Sequence, residues 1–70
     1  MYVNNNIKTI RIERNILQED LARAVNCSSR SMSRYETGER CPSLEMAMRI
    51  ACYLQLGLDE LFYLEDDSKS

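Results

Sequence analysis

Between Ser28 and Tyr35 the chain reads SSRSMSRY, with two arginines, four serines and no acidic residue. Taken as a helix that starts at Ser29 with Ser28 as its cap, this segment turns Met32 and Tyr35 to one side. Ser29, Arg30, Ser33 and Arg34 then form a single stripe on the other side by the i, i+4 rule. Short hydroxyl side chains let a helix approach another surface closely. Arginine adds paired donors that suit guanine edges and phosphates. A plain solvated face is the alternative, although such faces ordinarily mix both signs of charge. The chemistry within reach of this stripe is recognition of a hydrogen-bonding, anionic surface.

Other chemistries find little support. The chain has no histidine, no GxGxxG or phosphate-binding loop, and no nucleophile with a base at recognisable spacing, so an enzyme is not expected. For the same reasons no cofactor and no small-molecule ligand are expected. Cys27, Cys41 and Cys52 are an odd count without a CxxC pair, which disfavours a zinc site and any other metal site. They read as reduced thiols acting as small apolar side chains, with redox sensing by the loop residue Cys41 as the alternative. At 70 residues the chain makes one small domain, and an enzyme pocket would compete with the core for few apolar residues. No run of 18 apolar residues marks a membrane span, and MYVNNN lacks the basic start and apolar run of a secretion signal.

The net charge of −2 argues at first against a nucleic-acid partner, but its distribution does not. Residues 1–56 carry eight basic and six acidic side chains, whereas residues 57–70 carry one basic and five acidic. The acid is gathered at the C-terminal end, so the field near the Ser28–Arg34 stripe can still be positive.

The elements that must position the stripe follow from periodicity and caps. The asparagines at 4–6 offer caps for a first helix that runs to about Asn15, with Ile7 and Ile10 inward and Lys8, Glu13 and Arg14 outward. A second helix covers Gln18 to Val25 with Leu21, Ala22 and Val25 on one face and Glu19 and Asp20 in the first turn. Leu17 stands where a Ser or Thr cap is expected, a loss of roughly 1 kcal/mol. Asn26 suits a left-handed exit from that helix, and Gly38 does the same after the helix 29–37. Ser43 caps a fourth helix of about 44–55 whose apolar face is Leu44, Ala47, Met48, Ala51 and Leu54. Gly57 precedes a short fifth helix containing Leu58, Leu61 and Phe62.

The run from NNNIKTIRIERNILQEDLARAV through NCSSRSMSRYETGERCPSLEMAMRIACYLQLGLDELF resembles a small helix-turn-helix regulator of the Cro and lambda-repressor type, the Xre family. Gln18 opens the second helix, Ala22 is the small residue at the helix crossing, and SRYETGE, PSLEMAMRIA and LDELF are similar to the family's sequences. The departures are Leu17 for Ser or Thr, Asn26 for Gly and Gly57 for Ser, none of them on the stripe. The resemblance implies an all-α, five-helix lambda-repressor-like domain over residues 1–66, with the motif at 18–37 and a polar tail at 67–70. It also pairs Arg11 with Glu36, a structural ion pair that fixes the recognition helix against the body. Some of the smallest family members pair an N-terminal strand with a C-terminal one in an antiparallel sheet. MYV and FYLE have the β-branched and aromatic composition for it, with frayed ends as the alternative.

In this family the second helix of the motif lies in the major groove. Ser29, Arg30, Ser33 and Arg34 are therefore the expected base readers, and Gln18, Ser28, Arg40 and Ser43 the expected phosphate contacts. The expected function is a sequence-specific, double-stranded-DNA-binding transcriptional repressor acting in a prokaryotic or phage-type cytoplasm. A homodimer on a palindromic operator is implied, and Tyr53, Leu56, Leu58, Leu61, Phe62 and Leu64 are the candidate interface, although they could equally close the core. The competing reading is a protein-interaction module on the same fold, an antitoxin or antirepressor.

Overall fold

A computed structural model describes residues 1–66; the expected polar tail at 67–70 lies outside the described residues. The order of elements is β1 (Tyr2–Asn5), α1 (Ile7–Glu13), α2 (Gln18–Ala24), α3 (Ser29–Thr37), α4 (Leu44–Leu54), α5 (Leu58–Leu61) and β2 (Phe62–Glu65). The five helices and the two-stranded antiparallel sheet are the architecture expected from the sequence, including the pairing of the chain ends.

Local steric signals set most helix ends. Ser28 Oγ accepts from the Ser31 N–H at 3.0 Å and Ser43 Oγ from the Met46 N–H at 3.1 Å, each satisfying one orphan donor of a first turn. Asn26 and Gly38 take the left-handed conformation at φ 66° and 82°. So do Asn15 and Gln55, which end α1 and α4 one or two residues earlier than periodicity alone suggests. Leu17 sits in cap geometry with no side-chain hydrogen bond.

The start of α1 is capped from within the expected asparagines, whereas the end of the fifth helix differs from the expectation. The cap of α1 comes from Asn5, one position before the cap residue: its Oδ1 accepts from the Ile7 N–H at 3.0 Å. Its Nδ2 donates to the Tyr35 carbonyl at 2.8 Å, so one side chain ties β1, α1 and α3 together. Phe62 belongs to β2 rather than to the fifth helix, because pairing with Asn5 across the sheet holds it extended. At the far end of that ladder Glu65 Oε1 accepts from Asn4 Nδ2 at 2.8 Å and from the Tyr2 hydroxyl at 3.2 Å.

The core is Ile7, Leu21, Ala22, Val25, Met32, Tyr35, Ile50, Ala51, Leu54 and Leu61, with Ile10, Ile16, Met46, Leu56 and Phe62 packed against it. The inward face of α4 is thus Ala47, Ile50, Ala51 and Leu54. Leu44 and Met48, expected on that face, are instead 70% and 54% exposed. The apolar arc of α4 is wider than the core, and packing of Ile50 rotates the helix so that its 44/48 edge faces outward.

Candidate nucleic-acid interface

The placement of α3 starts with a buried ion pair. Arg11 leaves α1 beside its apolar stripe and donates from Nε to Glu36 Oε2 at 2.8 Å and from Nη2 to Oε1 at 3.3 Å. Its Nη1 donates to the Ile16 carbonyl at 2.8 Å. The Glu36 side chain is only 2% exposed, and desolvating a carboxylate is tolerable only with such paired donors. Gln18 Nε2 gives Glu36 Oε1 a further hydrogen bond at 3.1 Å. One carboxylate near the end of α3 therefore collects α1 and the start of α2, and Arg11 itself ties in the turn between them. Buried Met32 and Tyr35 hold the same helix through its apolar side.

With that side fixed, the polar stripe faces away from the body. Ser29, Arg30, Ser33 and Arg34 line one shallow, open depression together with Gln18 and Glu39. The structure thus brings all four expected base readers together with one of the expected phosphate contacts. Among the described residues Arg30 has no ion-pair partner. Arg34 does: its Nε lies 3.6 Å from Glu39 Oε2.

The other expected phosphate contacts are placed apart from that depression. Ser28 and Ser43 are exposed, with hydroxyl oxygens already engaged as helix caps. Arg40 is exposed in the loop after α3, its N–H donating to the Arg34 carbonyl at 3.2 Å. Gln18 is half-buried and has a structural bond besides its position at the rim. Arg14, expected as an outward charge, donates from Nη1 to the Leu54 carbonyl and so closes the C-terminal end of α4.

Sequence reasoning missed Glu39. Its signal is an acidic residue five positions beyond Arg34, just past a glycine in the left-handed conformation, where the chain doubles back along the helix it has left.

The candidate interface residues divide. Leu61 is fully buried, and Leu56 and Phe62 pack against the core, because the short α5 and β2 close the bottom of the bundle. Tyr53, Leu58 and Leu64 are exposed. Ala24, Val25, Leu44, Met48, Cys52 and Tyr53 form most of an apolar groove between α2 and α4, and a second groove holds Val3, Leu44, Leu58 and Phe62. Leu44 lines both, so the two make one apolar strip that shares no residue with the arginine-bearing depression. Among the described residues no group of histidine, cysteine and carboxylate side chains could hold a metal ion.

A helix-turn-helix family model matches residues 7–61. An uncharacterised HTH-type transcriptional regulator of Methanocaldococcus jannaschii is 34% identical over 65 residues, which is 93% of this chain and 98% of that relative. A crystal structure of a candidate DNA-binding protein from Bacteroides fragilis superposes with a TM-score of 0.80 at 26% identity, covering 89% of this chain and 100% of that one. Bacillus thuringiensis PlcR, crystallised with a peptide and DNA, matches with a TM-score of 0.70 at 34% identity over 76% of this chain and 19% of its own.

Proposed function

The chain belongs to the Xre-type helix-turn-helix family, and from that premise we propose that it is a sequence-specific repressor that binds double-stranded DNA as a homodimer. The observation that carries this reading is the depression on α3: Ser29, Arg30, Ser33 and Arg34 side by side, with Gln18 at the rim. The helix lies in the major groove, and Arg30 and Arg34 reach guanine O6 and N7. Ser29 and Ser33 fit against neighbouring bases without dictating them. Gln18, Ser28, Arg40 and Ser43 hold phosphates along the flanks, together with backbone N–H groups at the starts of α2 and α4.

One such helix makes few base contacts, and a second copy on a palindromic operator doubles them, with half-sites about 34 Å apart. The exposed strip through Tyr53, Met48, Leu44 and Leu58 is where we place the dimer contact. Rimmed by Glu45 and Arg49, it is the apolar surface that a second copy would cover. Such a regulator acts in the cytoplasm of a prokaryotic cell.

The experiment is a mobility-shift series against the DNA upstream of the chain's own gene at two salt concentrations. Each phosphate contact steepens the fall of log K with log salt by about 0.9. Arg30→Ala removes about 1–3 kcal/mol of discrimination at one base pair. Gln18→Ala weakens binding to every sequence alike. No duplex preference from the folded protein would end the reading. In parallel, Met48→Glu should convert a dimer to a monomer in sedimentation while the helical circular dichroism of the folded chain is retained. A wild type that stays monomeric at high micromolar concentration would refute the homodimer and favour the interaction-module reading, in which the strip takes another protein.

A further inference from the structure

Glu39 is an acidic side chain inside the surface that the proposed function gives to a polyanion. It lines the depression with Ser29, Arg30, Ser33 and Arg34. The loop holds it there. Gly38 turns the chain at φ 82°, the Glu39 N–H donates to Thr37 Oγ1 at 3.4 Å, and the Arg40 N–H donates back to the Arg34 carbonyl at 3.2 Å. The Arg34 side chain is 39% exposed and that of Glu39 65%.

The contact is to one edge of the guanidinium. Glu39 Oε2 stands at 3.6 Å from Nε, the inner nitrogen, and among the described residues the two outer nitrogens of Arg34 make no hydrogen bond, which leaves them as a parallel pair of donors. A guanine presents O6 and N7 to such a pair and carries no charge that Glu39 would repel. A phosphate reaching for Arg34 meets the carboxylate as a neighbour of like charge. Resting on the DNA-binding reading above, we infer that Glu39 is a specificity-determining residue. It directs Arg34 toward base edges and away from the sugar-phosphate backbone, lowering affinity for unrelated DNA more than for the preferred sequence.

The size of the effect is bounded by the exposure of the pair. A solvent-facing ion pair corresponds to at most about a fivefold change in an equilibrium. With Glu39→Gln, affinity for a duplex of unrelated sequence should rise about threefold. The salt slope on that duplex should steepen by about 0.9, one more phosphate engaged. Preference for guanine at the Arg34 position should fall by a similar factor of about three.

The probe is the duplex that the wild-type chain recovers from a pool of randomised duplexes, measured against a scrambled duplex of equal length. Glu39→Gln and Glu39→Ala are compared in the wild-type and Arg34→Ala backgrounds. The inference expects both variants to gain scrambled-duplex affinity and lose guanine preference, and expects neither change once Arg34 is absent. Unchanged binding in the variants overturns it. So does an equal loss on both duplexes, which would mean a role in shaping the loop, and so does the same gain without Arg34, which would mean a bulk charge effect. A wild type that recovers no common sequence removes the DNA-binding reading itself. The two failures are therefore distinct.

Discussion

Replacing Arg11 by Met tests what orients α3. The substitution keeps most of the side-chain bulk and removes both donors that Arg11 gives Glu36, at 2.8 and 3.3 Å. Glu36 is left almost completely buried with the Gln18 amide as its remaining side-chain donor. Stripping one partner from a buried pair costs about 3–5 kcal/mol, and the surviving Gln18 bond puts the expectation near the lower figure. The Ile16 carbonyl also loses its Arg11 donor, a further cost of about 1 kcal/mol where water does not replace it. A chain of 70 residues has a total stability of about 4–10 kcal/mol, so Arg11→Met consumes a large share of it. The assay is urea unfolding followed by circular dichroism. With a slope near 1 kcal/mol per molar for a domain this small, the midpoint should fall by about 3–4 M. Arg11→Met combined with Glu36→Leu should recover most of that loss, since an apolar pair of similar volume avoids the uncompensated charge. A single variant that loses less than about 1 kcal/mol would refute the reasoning. A double variant no better than the single would place the cost in packing rather than in the stranded carboxylate.

Leu17→Ser supplies the missing acceptor at the start of α2 from a position already in cap geometry and largely exposed, and should gain about 1 kcal/mol, or roughly 4–8 °C in melting temperature. Asn5→Ala deletes both the acceptor for the Ile7 N–H and the donor to the Tyr35 carbonyl, and should lower stability by about 1–2 kcal/mol in the same melt. Cys27 is half-buried and desolvation pushes its thiol pKa up, so it should react with iodoacetamide after the exposed Cys41 and Cys52, as peptide mapping would show. Because the folded chain then holds the Cys27 proton more tightly than the unfolded chain, stability should decline as pH rises from the ordinary thiol pKa of about 8.5 through the raised one. Cys27→Ala should remove that part of the decline.

What the sequence determined by itself is what a few neighbouring residues decide among themselves. Ser28 and Ser43 cap because a hydroxyl three residues before an orphan N–H can reach it. Asn26 and Gly38 end helices because few side chains tolerate positive φ. The α3 stripe was legible because helical spacing separates Met32 and Tyr35 from Ser29, Arg30, Ser33 and Arg34 whatever the helix packs against. The pairing of the ends and of Arg11 with Glu36 was legible only through family resemblance, since no local signal links residues that far apart.

Tertiary structure decided the rest. Gln18 reads as a surface amide until packing sets Glu36 beside it. Leu44 and Met48 read as core because α4 is apolar over a broad arc, and only the fit of Ile50, Ala51 and Leu54 against their neighbours selects which part of that arc is buried. Leu61 reads as either an interface contact or a core residue, and the body of the bundle closes over it. Glu39 meets Arg34 because the loop folds back on its own helix. Backbone preferences are set within a turn or two of chain, whereas burial and charge pairing depend on which distant surfaces the fold presses together.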